Sequence, residues 1–123
     1  YKSFNLNLGT SGVVEANRAS VTTFNGQKFV ITTLLPESAV LNIAEVPDEV
    51  SSAPAEGEFM RYRFTSTTQS EVIEATFVHV LVGADAGAEL PEIELVSDDP
   101  VAPIVRVGTT VVRFDGASIS VER

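Results

Sequence analysis

Apolar and polar residues alternate with a period of two along most of this chain. Residues 2–8 show it first: Phe4, Leu6 and Leu8 point one way, and Ser3, Asn5 and Asn7 the other. Successive side chains of a strand leave opposite faces of its sheet, so the pattern predicts a half-buried strand. A turn at Gly9 to Gly12 follows, then two strands over 13–24 and 27–35, around Asn25-Gly26. A two-residue turn would set Val21 against Val30 and Thr22 against Phe29, mixing polar and apolar groups on one face. A three-residue loop, Phe24-Asn25-Gly26 with Gly26 left-handed, sets Val21 against Phe29, Ala19 against Ile31 and Thr22 against Lys28. It separates the faces, and it is the preferred register.

Pro36 has no N–H to give a ladder and ends the third strand. Residues 39–45 predict a short strand, and the acidic stretch 47–57 a loop. Residues 58–66 alternate again, with Met60, Tyr62 and Phe64 on one face and Arg61, Arg63 and Thr65 on the other. Residues 72–82 give the strongest strand signal, with Ile73, Ala75, Phe77 and His79 sharing a face. Around Phe77 to Val82 both faces are apolar, which suits a central strand or one covered by another domain. Gly83 to Ala88 reads as a connection, 90–97 as a strand, Asp98-Asp99-Pro100 as a turn and 104–107 as extended. The last element is a hairpin about Asp115-Gly116, pairing Phe114 with Ala117, Val112 with Ile119 and Thr110 with Val121.

This makes roughly eight to ten short strands. One sheet of that size would leave a large apolar face in water, so the expected fold is all-β, an antiparallel β-sandwich; a small barrel is the runner-up. A length of 123 residues suits a single domain over 1–123. The opening at Tyr1, without a start methionine, suggests the C-terminal fragment of a larger protein. No run of 18 apolar residues predicts a membrane span.

Charge narrows the partners. Eight basic and 17 acidic residues leave a net charge of −9, a field that repels nucleic acid and anionic membranes. There is no cysteine, and His79 is the single histidine. A histidine acting as base, nucleophile activator or zinc ligand needs defined companions; His79, set in an apolar strand, reads as a packed or interface residue, with a substrate contact as the alternative. Arg61 and Arg63, with Arg106 or Arg113, could bind sulfate or carboxylate; the plainer reading pairs them with Glu58, Glu71 or Glu74. Glu94, Asp98 and Asp99 are candidate calcium ligands, although no regular metal-ligand loop surrounds them and no other cofactor is expected. Without tryptophan, and with Phe4, Phe29, Phe64, Phe77 and Phe114 in core phase, the aromatic inventory does not favour a lectin-like face.

Several stretches resemble the C-terminal β-domain of heparinase II/III-like polysaccharide lyases, including alginate-lyase relatives. They are Gly26-Gln27-Lys28-Phe29-Val30-Ile31-Thr32-Thr33-Leu34-Leu35-Pro36-Glu37, then Arg61-Tyr62-Arg63-Phe64 followed by Phe77-Val78-His79-Val80-Leu81-Val82, and the terminal Val111-Val112-Arg113-Phe114-Asp115-Gly116. The resemblance implies a non-catalytic accessory domain beside an α-helical toroid. Such lyases cleave uronic-acid-containing glycans by β-elimination, with their catalytic groups mainly in the toroid and a central sheet domain. No catalytic role transfers to a residue here. Companion domains of the same polypeptide, a polysaccharide partner and a secreted or periplasmic location follow from the same resemblance. A freestanding carbohydrate-binding or adhesion sandwich is the alternative.

Overall fold

A computed structural model describes residues 1–46 and 60–123, so the loop expected at 47–57 lies outside the described residues. Those residues contain eleven strands and no helix. The all-β expectation holds. The strands are β1 (Ser3–Leu8), β2 (Gly12–Glu15), β3 (Arg18–Thr22), β4 (Lys28–Leu35), β5 (Val40–Glu45), β6 (Tyr62–Thr67), β7 (Val78–Ala84), β8 (Ile93–Ser97), β9 (Ile104–Val107), β10 (Thr110–Asp115) and β11 (Ser118–Glu122). They form three antiparallel sheets, ordered β1-β6-β5, β2-β3-β4-β7 and β11-β10-β9-β8. The chain divides into two compact units, Tyr1–Ala88 and Glu89–Arg123.

The first unit has a sandwich-like core built from its two sheets. Leu8, Ala19, Val21, Ile31 and Phe64 are buried together, and Phe4, Leu6, Val14, Phe29, Leu41, Ile43 and Tyr62 pack on them. Alternation explains the membership. In the three-stranded sheet Leu6 lies opposite Phe64 and Phe64 opposite Ile43, so the inner face is a continuous apolar row. In the four-stranded sheet Ala19 faces Ile31 and Val21 faces Phe29, with Gly26 at φ 77° closing the turn. This is the register with the three-residue loop.

Residues 13–24 are not one strand. The chain reverses at Ala16-Asn17, placing Glu15 opposite Arg18. Ala16 holds a φ of 53°, which burdens an L-residue by about 1–2 kcal/mol. Asn17 anchors the corner: its carbonyl accepts from Thr33 N at 2.8 Å and its Nδ2 donates to Thr33 O at 3.1 Å. Ala16→Gly should therefore stabilise the chain by about 0.5–1 kcal/mol, once the extra backbone entropy of glycine is subtracted. A urea melt checks this; no rise in midpoint would show the corner is unstrained.

Two strands are shorter than their alternation suggests. β7 begins at Val78 rather than Val72, and Ile73 is 93 % exposed. Its ladder partner is β4, whose last residue, Leu35, lies opposite Val78 just before Pro36, so residues 72–77 have no strand to pair with there. β6 begins at Tyr62 because both neighbours end there, Leu8 on one side and Glu45 on the other. The strand buried on both faces is β4, from Val30 through Leu35, whereas β7 is an edge strand.

The second unit is a four-stranded meander. β8 bulges between Leu95 and Ser97. At the β10–β11 hairpin Asp115 faces Ser118, Phe114 faces Ile119 and Val112 faces Val121. The loop is thus Gly116-Ala117, with Gly116 at φ 56°, the first central position where a type II′ turn needs glycine. The pairing is shifted by two residues from the one expected around Asp115-Gly116. A shift of two preserves the face of every side chain, so the expected apolar face survives.

Candidate functional site

His79 sits in β7 opposite Thr33 of β4. Its ring stacks on Phe4 at 4.2 Å between centroids, meets Phe64 edge-on at 6.1 Å and lies nearly parallel to Phe77 at 6.1 Å. Nε2 is buried without a hydrogen-bond partner, as are Thr33 Oγ1 and Ser66 Oγ. Burial lowers the pKa of His79 below the ordinary histidine value, because the charged imidazolium is the form that loses most on desolvation. Among the described residues its ring contacts are all with phenylalanine, so it has the surroundings of a packing group.

The sign of the pH effect follows. With the folded-state pKa lowered, the unfolded chain binds the proton more readily. Stability from this group is complete above the unfolded pKa of about 6.5 and falls as pH drops below it, down to the folded-state pKa. Urea midpoints for the parent chain should decline from neutral to mildly acidic pH more steeply than those of His79→Gln. Equal slopes would refute the assignment.

Arg63 does not join His79. Arg63 alternates with Phe64, which is fully buried, so its side chain leaves the opposite face, where Nε donates to Asn7 Oδ1 at 3.2 Å. Arg61 precedes β6, is exposed, and its carbonyl accepts from Val46 N at 2.6 Å. Arg106 is ion-paired with Glu94, its direct cross-strand neighbour, and Arg113 Nε lies 4.0 Å from Glu122 Oε1. Of the acids suggested as partners for the arginines, Glu58 lies outside the described residues.

Two of the three calcium candidates, Glu94 and Asp99, are likewise engaged locally. Glu94 Oε2 accepts from Arg106. Asp99 Oδ1 accepts from Val101 N at 3.0 Å, and its carbonyl accepts from Ala102 N at 3.2 Å, the backbone-capping role of aspartate at a turn. Among the described residues no three His, Cys, Asp or Glu side chains gather as a metal site.

A feature that strand patterning missed is a shallow open groove of about 480 Å³ beside the β3–β4 turn, lined by Thr23, Gln27, Lys28, Phe29 and the Gly83–Asp85 segment. Its polar groups are tied together: Gln27 Nε2 donates to Asp85 Oδ1 at 3.2 Å, and the Lys28 ammonium donates to the Ala88 carbonyl. Sequence carried no signal for it, because these residues lie nearly 60 positions apart and meet only through the β4–β7 ladder.

No family model, curated protein or solved structure matches this chain. The fold defines an all-β, sandwich-like class of protein. No helix among the described residues is long and apolar enough to cross a membrane.

Proposed function

We propose that this chain is a non-catalytic structural module, the accessory β-domain of a polysaccharide lyase that acts by β-elimination on uronic-acid-containing glycans. The observation that carries the non-catalytic half is the setting of His79. Its ring is committed to Phe4, Phe64 and Phe77, and its Nε2 is buried with no hydrogen-bond partner among the described residues. The ordered resemblance of three strand-and-turn stretches supports the lyase context, with companion domains of the same polypeptide as partners and a secreted or periplasmic location. Purified chain incubated with uronate polymers should form no unsaturated product, read as ultraviolet absorbance. Turnover would end the non-catalytic reading. A full-length reading frame without a helical toroid would end the lyase context.

One observation favours a second reading, a freestanding carbohydrate-binding or adhesion sandwich. Phe24 is 83 % exposed at the β3–β4 turn, next in the chain to Thr23 of the polar groove. An open aromatic face beside hydrogen-bonding groups is what a sugar ring stacks on. Calorimetric titration with neutral and acidic oligosaccharides, with and without calcium, separates the two. Binding abolished by Phe24→Ala supports the second reading, and no heat with any glycan removes it.

A further inference from the structure

We propose that β11 is a self-association edge, and that two copies of this chain pair antiparallel through it about a twofold axis at Ser120. The proposal is independent of the glycan readings, since it concerns only the second unit.

The ladder determines which backbone groups the edge offers. In an antiparallel pair, residues alternate between exchanging bonds with the neighbour and turning their N–H and C=O away from it. The two-residue turn closes on the Asp115–Ser118 pair. Ser118, Ser120 and Glu122 therefore direct their backbone groups toward β10, and Ile119 and Val121 direct theirs away. Phe114 N donates to Pro103 O at 3.1 Å, on the β9 side. Phe114, the partner of Ile119, thus turns away from β11, as this phase requires. Since β11 ends the order β11-β10-β9-β8, the outward groups of Ile119 and Val121 have no strand beside them within the second unit's sheet.

That edge lacks the usual protection. Natural edges are blunted by proline, lysine, bulges or a covering segment. β11 reads Ser-Ile-Ser-Val-Glu and is exposed at all five positions. It pairs with β10 without irregularity, and its one charge, Glu122, lies 4.0 Å from Arg113 on its own sheet. The opposite edge, β8, is bulged. Ile119 and Val121 are 65 % and 56 % exposed, although their cross-strand neighbours Phe114 and Val112 are half-buried.

The occupant is a second copy because the strand is complementary to itself. Antiparallel pairing centred on Ser120 sets Ile119 opposite the partner's Val121, and the outward groups of both residues then exchange hydrogen bonds. Ser118 falls opposite the partner's Glu122, so no like charges meet. An axis normal to the sheet keeps the apolar faces on one side, and two four-stranded sheets become one of eight. Moving the axis to Ile119 or Val121 would set Val121 against the partner's Ala117, or Ile119 against the partner's Arg123, and lose this match. The contact is isologous and closes at two copies.

The whole chain should show a monomer–dimer equilibrium in analytical ultracentrifugation from micromolar to millimolar concentration. Val121→Pro removes an outward N–H without touching the β10 ladder, as edge proline allows. It should weaken the dimer by about tenfold or more, since the bond is lost twice across the axis. Ser120→Cys is a second, independent test. The two Ser120 residues would form a non-hydrogen-bonded pair, with Cα atoms about 4.5 Å apart, within disulfide reach, and the chain has no other cysteine. Mild oxidation should crosslink this variant to a dimer, while Ser118→Cys should not crosslink. A chain that stays monomeric throughout overturns the proposal. So does a dimer in which Ser120→Cys fails to crosslink.

Discussion

Phe64→Ala should destabilise the chain by about 3–5 kcal/mol, the usual range for emptying a buried phenylalanine site. Phe64 is fully buried on the central strand of the three-stranded sheet, between Leu6 and Ile43. It belongs to the same cluster as Ala19, Val21 and Ile31 of the facing sheet. Removing the ring takes packing from both layers, and strands held in two ladders cannot collapse far into the space. Domains of this size are stable by only about 5–15 kcal/mol, so the variant should lose much of its urea midpoint. The edge contact between Phe64 and His79 supplies a second reading. The His79 proton resonances should move in the folded variant, because a neighbouring ring current is gone. A loss under about 1 kcal/mol would mean that the core is not organised around this side chain.

Gly12→Ala should cost about 1–3 kcal/mol, the range for overpacking a filled site. Its direction is opposite to the general expectation. Where the backbone tolerates alanine, replacing glycine restricts the unfolded chain and stabilises by about 0.4–1 kcal/mol. Gly12 does not have a positive φ, so backbone conformation alone would forecast that gain. Space decides otherwise. A Cβ at Gly12 would lie 2.4 Å from Ser20 O, 2.8 Å from Val21 Cγ2 and 3.1 Å from Ile43 Cδ1. The first of these is backbone in the adjacent strand, so relief requires β2 and β3 to move apart. Gly26 supplies the control. It has nothing within 4 Å of its Cβ position but a φ of +77°, so Gly26→Ala should cost about 1–2 kcal/mol through backbone strain alone. Chemical denaturation of the three proteins tests both terms, and a Gly12→Ala variant as stable as the parent would refute the close approach.

Local chemistry made some features legible and hid others. The β3–β4 register was readable because only one loop length put Val21, Phe29, Ala19 and Ile31 on a common face. The corner at Ala16-Asn17 also left a trace. Val14 packs inward at an even position, while Ala19 and Val21 do so at odd positions, and such a phase change cannot occur within one regular strand. Neither Ala16 nor Asn17 is glycine or proline, so the corner lacks the strongest turn signals. At β10–β11 both registers preserve faces and both give Gly116 a positive φ, so binary pattern could not choose between them; the observed turn is the one that spares Asp115 a positive φ. For the site, the apolar setting of His79 was legible, but its stack with Phe4 was not, since that contact joins residues 75 positions apart in different sheets.

By itself the sequence determined that this is an all-β chain, which positions alternate toward a core and where several turns fall. These depend on local backbone preferences and a two-residue side-chain period, both carried by neighbouring residues. Tertiary structure alone decided the division into three sheets, the true lengths of β6 and β7, the need for glycine at position 12 and the orphaned Nε2 of His79. Each is a property of what lies opposite a residue across a ladder or between layers. Such partners are chosen by the packing of the whole chain, where a strand can extend only as far as its neighbour does.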